Sequence, residues 1–164
     1  MRRLLVVFLM IMPFYVKAQS LEELKKMPMF ERSVAVIKRF EGWHGEEAGN
    51  YVGYGHRILP GENLSHDMTE AEADSLLRAD LFVRCTIFRR FGVDSLLLAT
   101  LSYQVGHGRL LGYGKYPKSM LIQKLEGGDR DIYREYVSFR RWKGKVIPSI
   151  ERRRKMEFEL LFEP

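Results

Sequence analysis

The segment FEGWHGEEAGNYVGYGHR, residues 40–57, decides how the rest of the chain is read. Just upstream, Phe30, Val34, Ile37 and Phe40 recur at the i, i+4, i+7 spacing of one buried helix face, which predicts a helix from Phe30 to about Phe40. Glu41-Gly42 closes it, because glycine accepts the left-handed conformation that ends helices. From Trp43 to His66 the glycines at 45, 49, 53, 55 and 61, with Pro60, exclude a long helix and punctuate a small antiparallel sheet. Tyr51 to His56 alternates as a strand does, with glycines where backbone or ligand must come close.

Downstream the pattern returns to helices. Thr69 with Glu72 three residues on is a capping box, ahead of Ala73, Leu76, Leu77 and Leu81 on one face. The long helix from about Glu70 should run to Phe91-Gly92. Asp94 or Ser95 can cap the next, whose Leu96, Leu97, Leu98, Leu101 and Val105 read as buried. Gly106, Gly108, Gly112 and Gly114 predict a loop before a helix from about Lys118 to Glu126, stopped by Gly127-Gly128. Another short helix is expected from Asp129, and Pro148 suits the first turn of a last one through Phe162. The fold class is α+β, mostly α, with a small sheet-containing N-terminal lobe and a helical C-terminal lobe. There are no repeats and no low-complexity segments.

The 164 residues suffice for one domain with a real core. Arg2 and Arg3 precede an apolar run from Leu4 to Val16, and Val16-Lys17-Ala18 resembles a signal-peptidase exit. The run is shorter than the ~20 residues of a spanning helix, and Pro13 interrupts it. Residues 1–18 are therefore expected to be a signal peptide, 19–29 a polar, adaptable lead-in, and 30–164 the domain. Export to the periplasm or cell envelope follows, without stable membrane insertion after cleavage. The net charge is +6, but Arg2, Arg3 and Lys17 lie before residue 19, leaving +3. That suits loose attraction to an anionic wall and argues against a nucleic-acid module. Cys85 is the single cysteine, so no intramolecular disulfide can form; it reads as a buried thiol in a monomeric chain.

A carboxyl at a helix C-terminus, entering a glycine-rich sheet beside Phe40 and Trp43, meets partial negative charge and a low local dielectric. Both disfavour ionisation and suit Glu41 to donate a proton to the leaving oxygen of a glycosidic bond. A solvated helix end is the plain alternative.

The order of motifs favours the first reading. The chain resembles the phage-type lysozymes, the endolysin muramidases of glycoside hydrolase family 24. The resemblance rests on Phe40-Glu41-Gly42, Gly53-Tyr54-Gly55-His56, Met68 to Ala73 continuing through Leu81, and Leu101 to Gly106. Ser119-Met120-Leu121, Leu125 to Asp129, Phe139 to Trp142, and Val146 to Ile150 with Arg153, Arg154 and Glu157 follow in the family's order. It implies hydrolysis of the β-1,4 bond between N-acetylmuramic acid and N-acetylglucosamine in peptidoglycan glycan strands, with Glu41 as the acid and no cofactor or metal. It also implies that Tyr103, Gln104 and Ser119 line the cleft. Trp142 fits a sugar subsite or the core, and Arg153 or Arg154 an internal pair with an acid. An exported enzyme of this kind suits local wall opening for an envelope or conjugative transfer machine.

One part of the pattern is missing. In the family an aspartate and then a threonine hold the attacking water between the glutamate and the G-x-G-H strand. Here eleven residues separate Glu41 from Gly53, none is an aspartate, and Tyr51 stands at the threonine's place. Glu46 and Glu47 are the nearest carboxylates, able to serve if the turn brings one to ~6.5–9.5 Å from Glu41, or else exposed at a hairpin tip. The gap leaves two alternatives: a lytic transglycosylase using Glu41 alone, or a catalytically silent peptidoglycan binder. His56 is expected to form a structural pair with Asp80, as the resemblance implies. His44, His66 and His107 lack metal-ligand spacing. Arg152 to Lys155 fan around a helix among Glu151, Glu157 and Glu159 and read as a solvated face.

Overall fold

The computed structural model describes residues 19–164; the leader reading of residues 1–18 lies outside the described residues. The helical elements are α1 (Leu21–Lys25), α2 (Met29–Glu41), α3 (Glu70–Phe88), α4 (Ser95–Val105), α5 (His107–Leu111), α6 (Met120–Glu126), α7 (Tyr133–Val137) and α8 (Pro148–Leu161). Strands β1 (Tyr51–Val52) and β2 (His56–Arg57) form one antiparallel hairpin, and β3 (Arg141–Trp142) and β4 (Lys145–Val146) another. The architecture is mostly α with a small sheet ahead of the long helix α3, as the sequence predicts.

The segment before α2 is more ordered than a polar lead-in. Ser20 and Glu23 form a reciprocal capping box on α1, which buries Leu24 in the core. Arg32 on α2 then staples the region. Its guanidinium donates to the carbonyls of Lys25, Met27 and Leu160, joining the end of α1 to the end of α8. Helix α2 buries Val34, Val36 and Ile37 and packs along α8 and against α4. Ser33 and Thr100 meet at 2.6 Å in that contact. Thr100 gives its proton to the Leu96 carbonyl, so Ser33 is the donor of the pair.

Helix α4 is the centre. Leu97, Leu98, Ala99 and Leu101 are fully buried, and each leucine contributes ~1.5–3 kcal/mol by leaving water. Helix α3 starts at the expected capping box, with Glu72 N–H donating to Thr69 Oγ1 at 3.2 Å and Thr69 N–H to Glu72 Oε2 at 2.7 Å. It ends a turn earlier than the sequence suggests. A 3₁₀ segment, Arg89–Asp94, follows and breaks at Gly92. Asp94 does not cap α4 with its side chain; its buried carboxylate accepts two bonds from Arg130 instead. Residues 107–111, expected as loop, form α5, and Asp129 makes a turn ahead of α7 rather than starting it. Cys85 is half-buried.

The stretch from Tyr51 to His56 is a hairpin, not one strand. Its turn passes through Gly53, Tyr54 and Gly55, and an isolated bridge pairs His44 with Gly53. Gly53 has φ +56°, and a Cβ there would sit 2.8 Å from Ala73 Cβ on α3, so the hairpin rests on the helix backbone to backbone. Gly49, at φ +63°, has open space where its Cβ would be. Gly53→Ala should lower stability by about 1–3 kcal/mol from overpacking on top of backbone strain. Gly49→Ala should cost only the strain, about 1–2 kcal/mol. Denaturant midpoints of the two variants measure the difference; equal losses would mean the hairpin does not press on α3.

Candidate active site

Glu41 is the last residue of α2, and Gly42 turns the chain away from it with φ +69°. Its side chain is 19% exposed. Oε1 accepts a bond from Arg153 Nη1 at 2.6 Å. Oε2 turns the other way, lying 3.6 Å from where a Cβ on Gly55 would be. Gly55, with φ +87°, takes a backbone conformation that a side chain would strain, and it places its backbone beside that oxygen. The aromatic wall expected around Glu41 is only partly there. Phe40 stacks beneath the Arg153 guanidinium at 5.7 Å, but Trp43 is exposed and packs edge-on to Tyr54 at 5.7 Å. A guanidinium, rather than aromatic faces, is the closest neighbour of the carboxylate.

Arg153 belongs to a buried cluster, not to a solvated face. Its Nε donates to Glu157 Oε1 at 2.8 Å. Arg154 Nη2 donates to the same oxygen at 3.0 Å and to Gln104 Oε1 at 2.8 Å. Tyr136 OH donates to Glu157 Oε2 at 2.9 Å. Arg153, Arg154 and Glu157 are all fully buried. Burial opposes the charge on Arg153, but Glu157 and Glu41 outweigh it and hold the guanidinium above its ordinary range. Two guanidiniums thus face two carboxylates across α8 and the end of α2. Internal pairing with an acid, one of two readings open for these arginines, is the one the structure adopts.

Glu41, His44, Tyr51, Gly55, Tyr103 and Gln104 surround a cavity of about 180 Å³. Tyr103 OH donates to the Tyr54 carbonyl at 3.0 Å, tying α4 to the hairpin turn. Burial, with Asp80 nearby, pushes its phenol well up, so it remains a donor. The Tyr51 and His44 rings lie 6.2 Å apart, and the Tyr51 carbonyl meets His66 Nε2 at 3.2 Å. Glu46 and Glu47 are exposed on a 3₁₀ turn, Glu46–Ala48, and do not line the cavity. The Glu47 carboxylate folds back over Gly45 instead. Ser119 also lies outside it: its hydroxyl caps α6, accepting from Ile122 N–H at 3.3 Å. Trp142 is no core residue. It is 63% exposed on the β3–β4 hairpin, which sequence patterning missed. Among the described residues no cluster of His, Cys, Asp or Glu could hold a metal ion.

Of the residues the sequence nominates, Glu41, Tyr51, Tyr103 and Gln104 line one space. Sequence reasoning missed His44 and Gly55 as lining residues and did not join Arg153 to Glu41. The Arg153–Glu157 spacing of four along a helix was the available signal, though it looks the same on a wet surface.

Away from the cavity, the expected pair of His56 and Asp80 is present, Nδ1 to Oδ2 at 2.8 Å, and Glu62 adds a second carboxylate on Nε2 at 3.0 Å. Burial lowers the proton affinity of His56, but bonds to Glu62 and Asp80 more than compensate and raise it. This bracket holds β2 to α3.

The end of α2, the β1–β2 hairpin and α4 thus meet around one cavity that the Glu41 carboxylate lines. A family profile described as Phage lysozyme matches residues 38–157, and the chain belongs to that family. Membership brings peptidoglycan hydrolysis as the general activity, and with it a place of action outside the cytoplasm. None of the curated proteins matches the chain. No helix among the described residues is long and apolar enough to cross a membrane.

Two outcomes follow. Arg153→Ala leaves Glu41 without its guanidinium and Glu157 with only Arg154 and Tyr136, and should cost about 3–5 kcal/mol of stability, read from denaturant midpoints. The proton affinity of His56 is raised on folding, so its contribution is full below the ~6.5 of free imidazole and fades as pH rises through the folded value. His56→Gln should therefore lower the melting temperature more at pH 6 than at pH 9. A gap that widens with pH would contradict the double-carboxylate bracket.

Proposed function

We propose that the chain is a muramidase that hydrolyses the β-1,4 bond between N-acetylmuramic acid and N-acetylglucosamine, with Glu41 as general acid. The division of labour on its carboxyl carries the reading. Arg153 holds Oε1 in place, while Oε2 faces the cavity shared with Gly55 and can carry the proton given to the leaving sugar oxygen. Tyr103 and Gln104 supply an aromatic face and an amide where pyranose rings and hydroxyls need them. Trp142, an exposed indole, offers another stacking face, and Ser119 stays a binding candidate only beyond its capping bond. Tyr51 lines the cavity and is the better placed of the residues first considered for positioning water. Glu46 and Glu47 reach that space only by movement of their turn. With an export leader, such an enzyme serves local wall opening for an envelope or transfer machine.

A second reading, lytic transglycosylation, draws on one observation: among the described residues, Glu41 is the only carboxylate lining the cavity. In that chemistry the substrate's own hydroxyl replaces water, and products carry anhydro-muramyl ends one water lighter than hydrolytic products. Digestion of purified peptidoglycan followed by mass analysis separates the two. Hydrolysis predicts full-mass reducing ends, and Glu41→Gln should reduce their release by ~10²–10⁴-fold. Full activity in that variant would sink both enzymatic readings, and binding without cleavage by the wild type would identify a silent wall binder.

A further inference from the structure

The cavity contains a second group able to move a proton. His44 sits three residues after Glu41, and its backbone N–H donates to the Gly53 carbonyl at 2.8 Å, which anchors it across the hairpin. Its Cε1 lies 3.6 Å from the position of a Cβ on Gly55, the same distance as Glu41 Oε2 from that point. Carboxyl oxygen and imidazole carbon are therefore at most about 7 Å apart, and both residues line the same cavity. Nδ1, bonded to that carbon, is buried and meets no hydrogen-bonding group among the described residues. Both nitrogens of His56, by contrast, are engaged. Buried polar atoms are nearly always paired, and this nitrogen shares its unpaired state with Arg153 Nη2, Arg154 Nε and Arg154 Nη1; of these residues only His44 lines the cavity.

The other lining residues cannot take a proton from water near neutrality. Tyr103 is held protonated and spends its hydroxyl on Tyr54, Gln104 carries an amide already bonded to Arg154, and Tyr51 is a phenol. Imidazole is the side chain suited to that task.

We propose that His44 is the general base, acting where the family's aspartate is missing. This rests on the muramidase reading above. Water oxygen attacks the anomeric carbon as the bond from that carbon to the leaving oxygen breaks. The proton on Glu41 Oε2 passes to the leaving oxygen, and a proton of the water passes to the imidazole. The step consumes one water, inverts the anomeric centre, and leaves a carboxylate at Glu41 and an imidazolium at His44. Transfer of one proton from His44 to Glu41 through solvent resets the pair.

The experiment uses purified peptidoglycan, mass analysis of the products, and the variants Glu41→Gln, His44→Ala and His44→Asn, each checked by thermal melting. His44→Ala should keep its fold and lose ~10²–10⁴-fold in hydrolysis. Sodium azide, a nucleophile that needs no base, should restore part of the cleavage and yield a glycosyl azide of inverted configuration. If His44→Ala does not fold, His44→Asn carries the same two readouts. Activity within about threefold of wild type in a folded His44 variant, or loss that azide does not rescue, overturns the assignment of the base while leaving the muramidase reading intact. Anhydro-muramyl products from the wild type overturn it as well. An active Glu41→Gln would overturn the muramidase reading itself.

Discussion

Two guanidiniums and two carboxylates, buried together where α2 ends against α8, set the terms for everything around them. Glu41 and Arg153 are 112 residues apart in sequence and 2.6 Å apart in space. Charges taken out of water are tolerable only when each has a partner, so Arg153 must meet both Glu41 and Glu157, and Arg154 must meet Glu157 and Gln104. This requirement fixes the rotation of α8 about its axis. It also fixes the end of α2 and hence the direction in which Glu41 Oε2 points. A carboxyl that would otherwise swing freely at a helix terminus is held by one oxygen and left available at the other.

The opposite wall of the cavity is built on different physics. Two-residue strands cannot hold a sheet together by themselves, and the β1–β2 hairpin is positioned by anchors from its neighbours. Gly53 rests on Ala73, His56 is bracketed by Asp80 and Glu62, Tyr54 OH donates to Glu70, and Tyr103 reaches from α4 to the Tyr54 carbonyl. All of these anchors except Glu62, which lies in the loop after β2, come from helices α3 and α4, which the apolar core holds in place. The cavity therefore has a floor on α4 and the end of α2, and a wall whose position depends on a few polar bonds. His44 and Tyr51 ride on that wall.

The eleven residues between Glu41 and Gly53 include no aspartate, and their path decides which side chains reach the cavity. That path also draws the start of the hairpin close to the end of α2. His44 bonds directly to Gly53 and turns its ring toward the space beside Glu41, while Glu46 and Glu47 are left on the outside of a tight turn. Proximity of a carboxylate in sequence was a poor guide here, because a 3₁₀ turn directs consecutive side chains to different sides.

Local structure was largely legible before any coordinates. The stripe from Phe30 to Phe40, the Thr69–Glu72 box, the leucines of α4 and Pro148 at the start of α8 act within one or two helical turns, so their meaning survives without a partner. Where reading stayed local it also erred locally. The Ser20–Glu23 box was passed over, α5 was hidden among glycines, and the β3–β4 hairpin was too short to leave a periodic trace. Only the tertiary structure could decide that Arg153 is buried rather than wet, that His44 rather than Glu46 or Glu47 lines the cavity, and that Ser119 spends its hydroxyl on a cap. An arginine looks the same in sequence whether its partner is water or a carboxylate 112 residues away. The difference is made by the packing of helices, which sets what each charge meets when water has been excluded.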